Sequence, residues 1–335
     1  HRKNLTLITS AEIQKILLNK KRAMGVEFWQ SSAQYIARAN AEVIVCAGAI
    51  NSPALLMKSG IGPSSHLIDC DILPQLHLPG VGQNLQDHAK IRLKFQSKKR
   101  LPFHTMDKRL NRFKAGLQWI FTRKGIVSSN IWEAGGLIRS HENISHPNLQ
   151  YHFGPIGFQI ANGNVQIEQA FSLNVDHMRP KSTGYVELDR SNIKKPPKIN
   201  FKYMSDPHDL IEMLAGVKKA RELVSQPAFE KYKGDEIQPG TEFKTNSEII
   251  HMLKERIETA YHPSCTCRMG YDDLAVTDSE FRVHEIDKLR VVDGSAMPRI
   301  VSANLNAPIQ MMAARAADFI RQKQQLPPLD LPYKI

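Results

Sequence analysis

At 335 residues, with 41% hydrophobic and 23% charged side chains, the chain has the length for two domains and the composition of a globular protein. Its formal charge of +12 is spread along the chain, which fits a solvated basic surface first, attraction to anionic lipid second and nucleic acid least. No apolar run approaches the roughly eighteen residues of a membrane span, and Cys46, Cys70, Cys265 and Cys267 form neither a disulfide framework nor a usual zinc spacing, so no metal is expected.

The chain opens His1-Arg2-Lys3-Asn4, with no initiator methionine, and reads as the start of a fragment. Leu5–Ile8, Ala11–Leu18 and Ala23–Phe28 are predicted as strands of a meander, with a turn at Asn19–Arg22. Glu42–Cys46 is a short apolar strand running into Ala47-Gly48-Ala49-Ile50-Asn51-Ser52-Pro53. That is the strand-to-helix turn of a dinucleotide-binding sheet: Gly48 permits close backbone approach and Pro53 suits a first helical turn. The helix through Leu55–Met57 should stop at Ser59-Gly60. Gly80-Val81-Gly82 is not a phosphate loop, because no strand precedes it and no third glycine follows at the right spacing.

From Ile91 the texture changes. Arg109–Arg123 reads as a helix, Gly135–Phe158, Phe171–Val175 and Gly184–Leu188 as strands, and Asp206–Leu223 as a helix opened by Asp206-Pro207. Thr245 to Glu248 has the form of a capping box starting a helix that runs to about Thr259. Strands followed by segregated helices predict an antiparallel sheet with helices on one face.

Two polar patches close the chain. Leu289–Val292 is a buried strand ending at Asp293-Gly294; a loop through Ser302, Asn304 and Asn306 follows, then Ala307-Pro308 and an apolar helix to about Arg321. Pro308 suits the first helical turn and Asn306 is expected to cap it. A helix start carries about half a positive charge and open N–H groups, so it favours an anion. Upstream lies Tyr261-His262-Pro263-Ser264-Cys265-Thr266-Cys267-Arg268-Met269-Gly270. A histidine in such a loop, taken alone, is more often structural than catalytic.

Together these patches, with Gly48–Gly62 and Leu78–His88, resemble the glucose–methanol–choline family of flavin-dependent oxidoreductases, and most of all its choline-oxidising members. The resemblance runs along essentially the whole chain but covers the later part of a family member. The glycine-rich segment that binds the dinucleotide pyrophosphate lies, in the family, ahead of His1. It implies an α/β fold: a partial FAD-binding Rossmann-like domain (1–90, returning at 256–325) and an α+β substrate domain (91–255), with a loose tail at 326–335. It implies oxidation of choline to betaine aldehyde, with FAD as cofactor and a quinone or other membrane acceptor, at a bacterial or mitochondrial inner membrane. Alternatives are another alcohol dehydrogenase or oxidase of the family, or a catalytically silent fragment that holds no FAD.

The family's motifs carry over residue by residue. His262 matches the catalytic acid/base, and Asn304 the partner that donates to the developing alkoxide. Asp293 and Gly294 match the turn beside the ribityl chain and phosphates, with Asp293 an acceptor for a ribityl hydroxyl. Asn306, Ala307 and Pro308 match the helix start facing the flavin N1–C2 carbonyl edge, and Gly48 the strand-to-helix turn. A quaternary ammonium has no N–H to donate, so it must be held by aromatic faces and a carboxylate. Glu133, Tyr261 and Phe158, with Trp132 alongside, resemble the trimethylammonium-binding positions. Cys265 and Glu285 depart from positions usually held by glycine, and Cys265 and Cys267 are read as packing rather than redox residues.

Overall fold

The computed structural model describes residues 2–132, 134–161 and 164–324. Its helices are α1 (Gly48–Lys58), α2 (Ser64–Asp69), α3 (Arg109–Thr122), α4 (Pro207–Val224), α5 (Asn246–Arg256) and α6 (Asn306–Ile320). The chain divides into two compact units, one of residues 1–86, 183–201 and 262–335, the other of 87–182 and 202–261. The sequence reading ran its substrate domain unbroken over 91–255. Residues 183–201 lie in the first unit instead, because Gly184 and Tyr185 pair with Leu85 and Gln83, and Tyr185–Glu187 with Lys198–Asn200. The tail at 326–335 falls outside the described residues.

In the first unit the expected meander forms from other strands. Glu12–Asn19, Arg22–Gln30 and Ala33–Arg38 pair antiparallel in that order, while Leu5–Ile8 is not a strand. Leu5 and Leu7 are exposed, and the alternation there meets no strand edge. Ala33–Arg38 is exposed at every position, so no buried face marks it in the sequence.

The centre of this unit is a parallel pair. Val43–Val45 lies beside Leu289–Val291, with Val43 opposite Leu289 and Val45 opposite Val291. The first strand runs almost directly into α1, the second reaches α6 through the turn and loop of residues 292–305, and the pair packs on Leu56, Met57 and Ile61. Gly82, at φ +81°, runs so close to Val186 that a Cβ would sit 2.2 Å from its carbonyl oxygen. At Gly80 a Cβ would likewise sit 2.0 Å from the Leu274 carbonyl oxygen, so both glycines serve close chain approach.

The helix predicted to begin at Ser52-Pro53 begins at Gly48, which leaves Pro53 inside it. An internal proline strips one carbonyl of its i+4 donor, here that of Ala49. The Thr266 hydroxyl takes the vacant place, donating to Ala49 O at 2.6 Å, and Thr266 is fully buried. Thr266→Val, close in shape but without the donor, should therefore lower stability by about 1–3 kcal/mol. A urea midpoint unchanged from wild type would refute this.

The second unit is a sheet in the order Lys233–Gln238, Ala89–Ser97, Ala170–His177, Leu149–Gly154 and Ala134–Ile138, all antiparallel, with Glu258–Thr259 also pairing Ala89–Ser97. Strand period two puts Ile91, Leu93, Phe171, Leu173, Val175 and Leu149 on one face, where they pack with α4 and α5 through Met213, Val217, Ile249 and Met252. This is the expected one-sided arrangement of helices. Asp206 caps α4 through the His208 amide, and the Thr245–Glu248 capping box opens α5 as expected.

The opposite face carries Lys90, Arg92, Lys94, Asn174, Asp176 and His152. His152 Nε2 lies 3.1 Å from Asp176 Oδ2.

Candidate active site

His262 and Asn304, forty-two positions apart, meet: Asn304 Nδ2 lies 3.3 Å from His262 Nε2. The backbone around them explains why. Residues 264–269 pass through a turn, with Cys265 at φ +72°, and are held by hydrogen bonds from Ser264 N to Gln86 O, Cys265 N to Gly294 O, Cys267 N to Ser295 O and Met269 N to Ala296 O, at 2.8–3.0 Å. The histidine loop is thereby laced to the turn that follows the Leu289–Val291 strand, and that turn leads on to Asn304.

Gln86 supplies the second tie. Its amide N–H donates to Ser264 O at 3.1 Å, its side-chain oxygen accepts from Ile300 N at 3.1 Å, and its side-chain amide donates to Asn84 Oδ1 at 2.9 Å. One buried residue, through its main chain on the His262 side and its side chain on the Asn304 side, thus fixes the approach to both. Sequence reasoning missed it, and its only signal was its place within the Leu78–His88 stretch.

Asp293 does not do what the sequence suggested. Its Oδ2 accepts from Gly48 N at 2.9 Å and Ser52 Oγ at 2.5 Å, and its Oδ1 from Ser295 N at 2.8 Å and Ser295 Oγ at 2.5 Å. Four donors fill the roughly four lone-pair positions of a carboxylate, so a ribityl hydroxyl would find none vacant. Asp293 is instead the clasp joining the start of α1 to the turn before α6. Gly294 follows it in close packing: a Cβ there would come within 3.2 Å of Ile309 Cδ1, on the first turns of α6.

The start of α6 also differs from expectation. Leu305 holds the N-cap position and no side chain caps the helix. Asn306 is the first helical residue, its Oδ1 accepting from Gln310 Nε2 at 3.2 Å, with Ala307 next and Pro308 third. A fifteen-residue helix whose N-cap residue makes no side-chain cap presents its positive end at this loop. Gly48, at φ +82°, has open space where a Cβ would stand. An uncapped helix start and an open glycine turn in one unit fit the expected flavin.

The cysteines beside the histidine are fully buried. Burial pushes the Cys265 thiol up to about 12, and burial first, then the charge of Asp293, holds Cys267 well above the usual thiol range. The packing reading of both is the one the structure fits.

The residues proposed for the quaternary ammonium belong to the second unit. Phe158 carries the Arg92 guanidinium 4.6 Å from its ring centroid, and Tyr261, largely exposed, carries Lys90 Nζ at 4.9 Å. Lys90 and Arg92 share a face of one strand, so both rings flank the polar side of the sheet. A cation already occupies one face of each ring, which leaves a ligand the other. Trp132 packs its ring on Gly154, where a Cβ would lie 2.7 Å from Cζ3. Glu133 lies outside the described residues.

Comparison with known proteins bears on the family and the fold. Two family models described as GMC oxidoreductase match residues 1–90 and 180–313. The chain belongs to the GMC oxidoreductase family. Its relatives include the oxygen-dependent choline dehydrogenase of Burkholderia orbicola, 43% identical over 332 residues, which are 99% of this chain and 59% of that protein. The protein of the same description from Pectobacterium carotovorum is 43% identical over 327 residues, 97% of this chain and 58% of the relative. The GMC chain thus spans well under two thirds of the length of these curated relatives. Among solved structures, formate oxidase from Aspergillus oryzae superposes with a TM-score of 0.87 at 24% identity, over 96% of this chain and 61% of the other. Pyridoxine 4-oxidase from Mesorbium loti gives 0.81 at 24%, over 97% and 60%. At that identity the likeness is one of fold.

Proposed function

We propose that this GMC chain carries the acid–base centre of an FAD-dependent oxidation of choline to betaine aldehyde, a step toward glycine betaine. The observation that supports it most is the meeting of His262 Nε2 and Asn304 Nδ2. An alcohol oxygen placed against both atoms can give its proton to the imidazole and accept from the amide as negative charge develops. FAD, when bound, supplies the acceptor for the hydride that leaves the carbinol carbon. Gly48, Gly294 and the amides of Asn306 and Ala307, with Pro308 fixing the first turn, would hold it. Asp293 contributes by fixing the start of α1 to that turn.

Glu133, Phe158, Tyr261 and Trp132 are proposed to select the quaternary ammonium, by a carboxylate and the ring faces not already covered. Glu133→Gln should then raise the KM for choline by about tenfold while leaving that for the uncharged analogue 3,3-dimethylbutan-1-ol unchanged. Equal effects on both alcohols would remove Glu133 from this role.

The reduced cofactor must pass its electrons on. A membrane quinone is one acceptor. The Burkholderia and Pectobacterium relatives are oxygen-dependent choline dehydrogenases by name, which favours dioxygen as the second reading. Choline turnover under air and under nitrogen, with and without a soluble quinone, separates the two. If neither acceptor supports turnover and choline fails to bleach bound flavin, the catalytic reading falls.

A further inference from the structure

Helix α3 is built inside out. At about 100° per residue, Leu110, Phe113, Leu117, Ile120 and Phe121 fall on one stripe of roughly a quarter turn. Their exposures are 62%, 64%, 38%, 58% and 81%. The buried residue of the helix is Ala115, on the opposite side. An amphipathic helix in a water-soluble unit ordinarily turns its large apolar residues inward; this one presents them.

The charge around the stripe has one sign. From Lys98 to Lys124 the sequence holds nine lysines and arginines against one acidic residue, Asp107, and α3 itself has no acidic residue. At its end Arg123 adopts φ +56° and lays its guanidinium 4.3 Å from the centroid of Trp119. An exposed apolar stripe bordered by Arg109 and Lys114 matches the chemistry of a bilayer surface, with apolar residues among acyl chains and cations among anionic headgroups. The charge argues against a second copy, which would bring two strongly positive faces together.

We propose that α3 is the element by which this protein docks on an anionic lipid surface, lying in the plane of the interface without crossing it. No described helix is long and apolar enough to cross a membrane. The proposal extends the membrane acceptor suggested above. Reduction of flavin by choline needs no bilayer, so failure of docking and failure of the catalytic reading are read in separate assays.

The test is cosedimentation of the full chain with phosphatidylcholine vesicles, with and without phosphatidylserine, alongside hydrogen exchange by mass spectrometry. Partition should be at least about tenfold stronger on the phosphatidylserine vesicles, with amide exchange slowed at 110–121. Phe113→Ser with Phe121→Ser keeps the charge and should cut that partition by about tenfold or more. Lys194→Ala with Lys195→Ala, which removes charge elsewhere, should leave it unchanged. Unaltered exchange at 110–121 on vesicles, or equal partition of the serine variant and wild type, overturns the proposal. So does a dimer in sedimentation velocity that the serine variant dissociates, since a second copy would then cover the stripe.

Discussion

His262→Ala in the FAD-loaded protein is expected to leave flavin bound and to slow its reduction by choline by about 10²–10⁴-fold, the range for loss of a positioned base. The expectation follows from the placement of the imidazole. Its backbone is held through residues 264–269 on the turn after the central parallel strands, while the groups proposed to hold the flavin belong to Gly48 and the start of α6. Removing the ring therefore deletes the proton acceptor without touching those groups. The measurement is anaerobic stopped-flow bleaching of the flavin band. Reduction at the wild-type rate would exclude His262 as the base, and loss of the yellow colour would show that the loop also supports the cofactor.

Asp293→Ala is expected to reduce stability by about 3–5 kcal/mol, judged from the unpairing of four donors at a buried carboxylate. The Gly48 and Ser295 amides and the Ser52 and Ser295 hydroxyls lose their acceptor together. Asp293→Asn keeps one acceptor oxygen and sets an NH₂ group against the donors on the other side, so it should fall between alanine and wild type. Urea denaturation followed by tryptophan fluorescence measures both. A cost under about 1 kcal/mol for alanine would mean that water satisfies these donors and that the clasp adds little.

Features written into neighbouring residues were legible in the sequence. The Thr245–Glu248 box and the Asp206-Pro207 start placed α5 and α4, because each cap lies within three residues of what it caps. Features completed from a distance were not. The sequence put the start of α1 at Ser52-Pro53, whereas the groups that allow Gly48 to begin it come from Asp293, 245 positions away. The strand Ala33–Arg38 has no buried face to leave a pattern, and 183–201 joins the first unit through pairing with Gln83–Leu85. His262 and Asn304 were legible as a pair only through motifs seen before. What holds them, Gln86 above all, leaves no mark because one glutamine makes both ties.

The bond from Thr266 to the Ala49 carbonyl makes two distant positions depend on each other. The hydroxyl matters only because the ring nitrogen of Pro53 bears no hydrogen. With alanine at 53, a main-chain amide would take over the duty, and loss of the hydroxyl would be felt far less than in the native background. Such a pair is inherited as a unit: a lineage free to change residue 53 becomes free to change residue 266, and the order in which it makes the two changes decides whether it passes through a weakened intermediate.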